Sequence, residues 1–113
     1  MEPASGGAYS RPMIRHIFLW NVKPEAGPDA GQRILDALNR IKDAPVPTVS
    51  WSLGPDAPAP GSEDSGGRWQ YGLVCDYRDQ EHLQEYYSSP EHAAVVDEIV
   101  PLIADRAVCD FEV

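Results

Sequence analysis

Cysteine is scarce in this sequence, with two among 113 residues. A disulfide framework is thereby excluded, and because Cys75 and Cys109 both sit in apolar, strand-like surroundings they read as buried free thiols. Positive charge is scarce as well. Nine Lys and Arg stand against eighteen Asp and Glu, a formal charge of -9, and residues 76–113 hold ten acidic and two basic side chains. Nucleic-acid phosphate and anionic lipid surfaces would be repelled, so neither is expected as a partner. No apolar run approaches the roughly 20 residues that cross a bilayer. The first dozen residues, Met1 to Pro12, are rich in Gly, Ser, Ala and Pro and lack the charged and apolar regions of a secretory signal. They read as a flexible arm, with Met13 an alternative start, ahead of one domain at 13–113 in a cytoplasmic protein. Also missing are a phosphate-binding glycine loop, a dinucleotide fingerprint, zinc-ligand spacing and a Ser-His-Asp order, so neither a cofactor nor a metal is implied.

What is present is ordinary globular composition, 42% apolar and 24% charged, enough for one compact unit. Ile14 to Val22 is a β-branched and aromatic run whose two faces are both apolar, the mark of a central strand. Pro24, Gly27 and Pro28 break the chain. Asp29 with Gln32 then resembles a capping box, and Ile34, Leu35, Leu38 and Ile41 follow at helical spacing, predicting an amphipathic helix over 29–42. Pro45 and Pro47 end it. Val49, Trp51 and Leu53 alternate with Ser50 and Ser52 as a second strand with one wet face.

Residues 54–67 contain seven Gly or Pro and read as a flexible connection. The third strand runs from Trp69 to Tyr77, with Trp69, Tyr71, Leu73, Cys75 and Tyr77 on one side. Asp79 caps a short helix bearing Leu83, Tyr86 and Tyr87. Ser89-Pro90 opens another, with Ser as cap and Pro where its missing N–H does no harm, until Pro101 kinks or ends it. Ala107 to Val113 alternates as the fourth strand.

This order, strand-helix-strand twice over, predicts an α+β fold of the ferredoxin-like βαββαβ kind. Its antiparallel four-stranded sheet has spatial order 4-1-3-2, with the helices on one face. On the other face Ile17, Leu19, Val74 and Val108 would leave apolar sheet in water, which predicts a homodimer that stacks two sheets. The same order sets Cys75 and Cys109 about 9.6 Å apart, two strand spacings, too far for a disulfide.

Four segments carry a family resemblance: M-I-R-H-I-F-L-W at 13–20, Y-G-L-V-C-D-Y at 71–77, L-Q-E-Y-Y-S-S-P-E-H at 83–92, and R-A-V-C-D-F-E near the end. The Y-x-x-x-P-x-H pattern in the third is the most specific. Over 13–113 the sequence resembles the stress-responsive A/B barrel domain family, dimeric α/β barrels. That family includes a plant polyketide cyclase that closes a linear polyketide by aldol condensation without a metal, boiling-stable stress proteins and many bacterial members of unassigned role. Fold alone does not name the reaction.

His92 occupies the third position of the helix opened by Pro90, where the positive end of the helix dipole disfavours imidazolium and keeps a neutral ring that can accept a proton. The resemblance implies that His92 is the catalytic base and Tyr86 the phenol that positions and polarises a substrate carbonyl. The residues by themselves favour the plainer reading, in which His92 caps a helix start and Tyr86 packs. His16 shares a strand face with Phe18 and Trp20, and the resemblance places it in the substrate pocket, with Tyr71 standing where the plant cyclase has a histidine. Phe18 and Trp20, together with Trp51 and Trp69, are candidates to line an aromatic ligand pocket, although aromatic residues at strand spacing are more often plain core. Glu81, His82 and Glu85 carry metal-ligand types on one helix but have no third convergent ligand, and read as a solvated face.

Two main functions follow. One is a cofactor-independent enzyme of lyase or isomerase type that cyclises or isomerises a polyketide-like or phenolic carbonyl compound by acid/base chemistry. The other is a non-catalytic stress-response or ligand-binding dimer. A cofactor-free monooxygenase on the same scaffold is a further alternative.

Overall fold

Strand β1 (Ile14–Val22) is built from the β-branched and aromatic run, and it lies second from one edge of a four-stranded antiparallel sheet of order β2-β3-β1-β4. The other strands are β2 (Ser50–Pro55), β3 (Tyr71–Tyr77) and β4 (Ile103–Glu112). The helices are α1 (Ala30–Arg40), α2 (Gln80–Ser88) and α3 (Pro90–Ile99), with short 3-10 turns at Pro24–Ala26 and Val100–Leu102. This computed structural model describes residues 11–61 and 68–113. Most of the predicted N-terminal arm and part of the 54–67 connection lie outside the described residues. The βαββαβ order and the 4-1-3-2 sheet, read from its other edge, are those the sequence predicts.

Alternation decides what each strand contributes. Ile14, His16, Phe18 and Trp20 of β1 are buried on the helix side, in register with Tyr77, Cys75, Leu73 and Tyr71 of β3. Ile34, Ala37 and Leu38 of α1, Leu83 and Tyr86 of α2, and Val95 and Ile99 of α3 complete one core with them. Ile17 and Leu19 point the other way, opposite Val74 and Gly72, and remain half-exposed.

Strand β4 differs from expectation. It starts at Ile103, four residues early, and its register sets Phe18 against Val108, Ile17 against Cys109 and Leu19 against Ala107. Val108 therefore lies on the helix side, not on the outer face predicted for it, and the apolar outer face gains Ala107 and Cys109 instead. The same pairing explains a second correction. Cys75 is buried, but Cys109 is an exposed thiol on the opposite face of the sheet.

Local capping follows the sequence at two of three helix starts. The Asp79 carboxylate accepts from the His82 backbone N–H at 3.0 Å, and the Ser89 hydroxyl accepts from the His92 N–H at 3.0 Å. The capping box at Asp29 does not form. Asp29 sits in helical backbone with no side-chain cap, and Gln32 donates instead to Asp36 at 2.9 Å, one turn along. Among the described residues no helix is long and apolar enough to cross a membrane.

Candidate functional site

The end of α2 and the start of α3 share one residue, Ser89, and that corner creates the site. The Ser89 backbone N–H donates to the Tyr86 carbonyl at 3.3 Å and its hydroxyl donates to the same carbonyl at 2.8 Å, while capping α3 at His92. With Pro90 fixing the first turn of α3, the corner folds His92 back onto Tyr86. The two rings meet edge to face with centroids 4.7 Å apart, and His92 lies 5.4 Å from Tyr87.

Opposite that corner, β1 and β4 contribute a second polar group. His16 and Asp110 are register partners, and His16 Nδ1 lies 2.6 Å from Asp110 Oδ1. A carboxylate can only accept, so Nδ1 is the donor in this bond. The other carboxylate oxygen accepts a hydrogen bond from the Tyr87 hydroxyl, also at 2.6 Å. Both contacts have the short length of charge-assisted bonds. His16 packs edge-on against Tyr86 and Tyr87, with ring centroids at 5.8 and 5.7 Å.

These groups border a cavity of about 290 Å³. His16, Tyr86, Tyr87 and His92 form its polar end, Phe18, Leu38, Ile41 and Val95 its apolar wall, and Val108 and Arg106 of β4 its open edge. The volume is at the lower end of small-molecule sites. A larger and shallower hollow of about 660 Å³ lies against the outer sheet face at Leu19, Gly72 and Val74. No histidine borders it.

Burial sets the protonation states. Desolvation, reinforced by the nearby His16, pulls the His92 pKa below its ordinary 6.5 against an opposing backbone contribution from Tyr87, so the ring is neutral at pH 7. Burial also raises the pKa of the Tyr86 phenol, helped by the neighbouring Cys75 and by the Asp110 carboxylate, and raises that of Tyr87, helped by its bond to Asp110. Both phenols stay protonated at neutral pH and can donate. Among the described residues no hydrogen bond engages the Tyr86 hydroxyl, which leaves it available to a guest.

Of the residues singled out in the sequence, His92, Tyr86, His16 and Phe18 converge on this cavity. Trp20 and Tyr71 do not. Trp20 is fully buried, stacked on Phe18 at 4.9 Å and on Tyr71 at 5.6 Å. Tyr71 extends to α1, where its hydroxyl occupies the space that a side chain at Gly31 would need, and it borders the outer hollow. Asp110, Tyr87 and Arg106 lie within segments that carry the resemblance, but nothing in those segments singles them out as site residues. Asp110 is one acid among many, and only the β1–β4 register pairs it with His16. Glu81 and Glu85 are exposed beside a half-buried His82, and among the described residues no three His, Cys, Asp or Glu side chains are grouped to hold a metal.

Several solved structures share this architecture. A dimeric ferredoxin-like protein of unknown function from Thermobifida fusca superposes with a TM-score of 0.77 at 23% identity, covering 96% of this chain and 97% of that one. A hydroxynitrile lyase from Passiflora edulis gives 0.74 at 17% identity over 90% and 94% of the two chains. A Dabb family protein from Mesorhizobium loti gives 0.70 at 22% identity over 89% and 96%. At these identities the likeness establishes the fold. No curated protein matches the sequence. The family model of the Stress responsive A/B Barrel Domain matches residues 14–113, all four strands and three helices, and the chain belongs to that family.

Proposed function

We propose that the cavity binds a polyketide-like or phenolic carbonyl compound and moves a proton at the carbon next to its carbonyl. The observation that carries this reading is the meeting of a neutral imidazole, His92, and an unengaged phenol, Tyr86, at 4.7 Å beside a cavity of about 290 Å³. His92 accepts the proton of an acidic C–H bond, whose electron pair passes into the carbonyl to form an enolate. Tyr86 donates a hydrogen bond to the oxygen where that charge develops. The enolate carbon then either takes a proton back at another position, which is isomerisation, or attacks a second carbonyl of the same molecule, which is cyclisation.

Asp110 and Tyr87 are positioning residues in this scheme. They fix the His16 ring so that its Nε2 edge is constant. The fold is one that a hydroxynitrile lyase also uses, which supports chemistry on small molecules at this scaffold. We also propose a homodimer through the outer sheet face, where Leu19, Val74 and Ala107 are half-exposed. The dimeric ferredoxin-like neighbour supports it.

Deuterium uptake at the methyl group of 4-hydroxyacetophenone, followed by NMR in D2O, tests the catalytic reading without the natural substrate. The protein should bind this ketone and accelerate uptake above buffer, with His92→Ala and Tyr86→Phe each lowering the accelerated rate by roughly a hundredfold. Binding without acceleration would make the protein a ligand carrier, and absence of binding would overturn the reading altogether.

A further inference from the structure

Arginine at the cavity's open edge is out of keeping with the charge of the rest of the protein. Of the seven arginines in the sequence, five are held by acidic side chains: Arg11, Arg15, Arg40, Arg68 and Arg78. Arg106 borders the cavity and, among the described residues, has no acidic partner, although acids outnumber bases eighteen to nine.

The nearby carboxylates do not neutralise it. Asp105 precedes it and alternates to the other side of β4, and Asp110 has both oxygens engaged by His16 and Tyr87. Val108, 54% exposed, separates Arg106 from Asp110 and also borders the cavity, which therefore opens along this strand edge. Arg106, Val108 and Asp110 alternate along one face of β4, so the Cα atoms of the arginine and the aspartate are about 13 Å apart. A guest molecule laid along the strand has a histidine-phenol end and a guanidinium end, with Phe18 and Val108 between.

We propose that the ligand is a keto acid in the broad sense, an aryl or alkyl carbonyl compound whose carboxylate is taken by Arg106 while its carbonyl lies beside His92 and Tyr86. The inference rests on the carbonyl reading above and adds the ligand's charge. A guanidinium presents a planar fork that matches a carboxylate with two parallel hydrogen bonds. Its positive charge also offsets the repulsion that a chain of formal charge -9 exerts on an anion.

Calorimetric titration of the full chain with 4-acetylbenzoate and 4-acetylbenzamide, alike in size and carbonyl but not in charge, tests it. The acid should bind at least about tenfold more tightly than the amide. That preference should shrink with added salt and vanish in Arg106→Gln, whereas Arg106→Lys should retain part of it. Equal affinities for acid and amide in the unmodified protein, or an equal loss of both in Arg106→Gln, would overturn the inference and leave the carbonyl reading standing. Benzoate binding as tightly as 4-acetylbenzoate would do the reverse, keeping the arginine as an anion site while removing the carbonyl reading. Failure of both acetyl compounds to bind would remove both.

Discussion

Asp110 and His16 face each other across the β1–β4 ladder with 2.6 Å between carboxylate and Nδ1. The bond holds a buried imidazole that borders the cavity in one orientation. Replacing Asp110 by Ala removes the acceptor and frees the ring to rotate. The Tyr87 hydroxyl, 3.2 Å from the same nitrogen, becomes its nearest polar neighbour. The Nδ1 NMR shift of His16 should move away from the value of a nitrogen that donates to a carboxylate. Ketone deuterium uptake should fall by on the order of 10- to 100-fold, the loss seen when an imidazole loses its orienting partner. Unchanged nitrogen shifts would show that the ring is held by packing alone.

The outer sheet face should behave as a dimer interface. Leu19, Val74 and Ala107 lie on it beside the exposed thiol of Cys109. Introducing a buried, unpaired carboxylate with Leu19→Asp should convert a dimer to a monomer in sedimentation velocity while leaving the far-UV spectrum unchanged. The Cys109 thiol should react slowly with iodoacetamide in the dimer and quickly in the variant. Cys75 should stay unreactive in both, since burial pushes its pKa up to about 12.

Gly31 and Tyr71 form a steric pair. Glycine inside a helix ordinarily gives up about 1 kcal/mol relative to alanine, but a Cβ here would run into the Tyr71 hydroxyl and lie 2.7 Å from its ring carbon. Gly31→Ala should therefore destabilise, by about 1–3 kcal/mol in urea unfolding. Tyr71→Phe in the same chain should recover part of that loss, because it removes the nearest atom and leaves the ring edge. Full additivity of the two substitutions would show that the helix shifts away from the ring.

The elements and sheet order were legible because they depend on period-two and helical spacing, caps and prolines, all local. His92 and Tyr86 were legible as a pair through the S-S-P corner and the family pattern. Val108 and Cys109 are misplaced by the pattern because β4 is an edge strand two of whose helix-side positions, Arg106 and Asp110, are charged. Over 107–111, apart from Val108, its apolar residues mark the face turned away from the helices, so alternation separates the two faces without saying which is which. Asp110 and Tyr87 entered the site only through register and a turn of helix, neither of which leaves a signature in the chain. The resemblance points Tyr71 at the pocket, and the strand face shared with His16 and Phe18 points Trp20 there. The stack of Trp20 on Tyr71, ending at Gly31, directs both into packing instead.

The pH dependence follows from His92. Burial and the neighbouring His16 hold its pKa below 6.5, and the active form in the proposed reaction is the neutral ring. kcat/KM for ketone exchange should therefore be flat through pH 7 and fall on the acid side, with a midpoint below 6.5 that disappears in His92→Ala. Linkage gives the same direction for stability. The unfolded chain binds the proton more readily than the folded one, so this residue's favourable contribution is complete above about pH 6.5 and declines as pH falls through the lower folded value. Urea midpoints between pH 7.5 and 5 should fall more steeply in the native protein than in His92→Gln, which cannot titrate. An acid limb above pH 6.5, or identical pH slopes for the two proteins, would mean that His92 is charged in the folded state and is not the base.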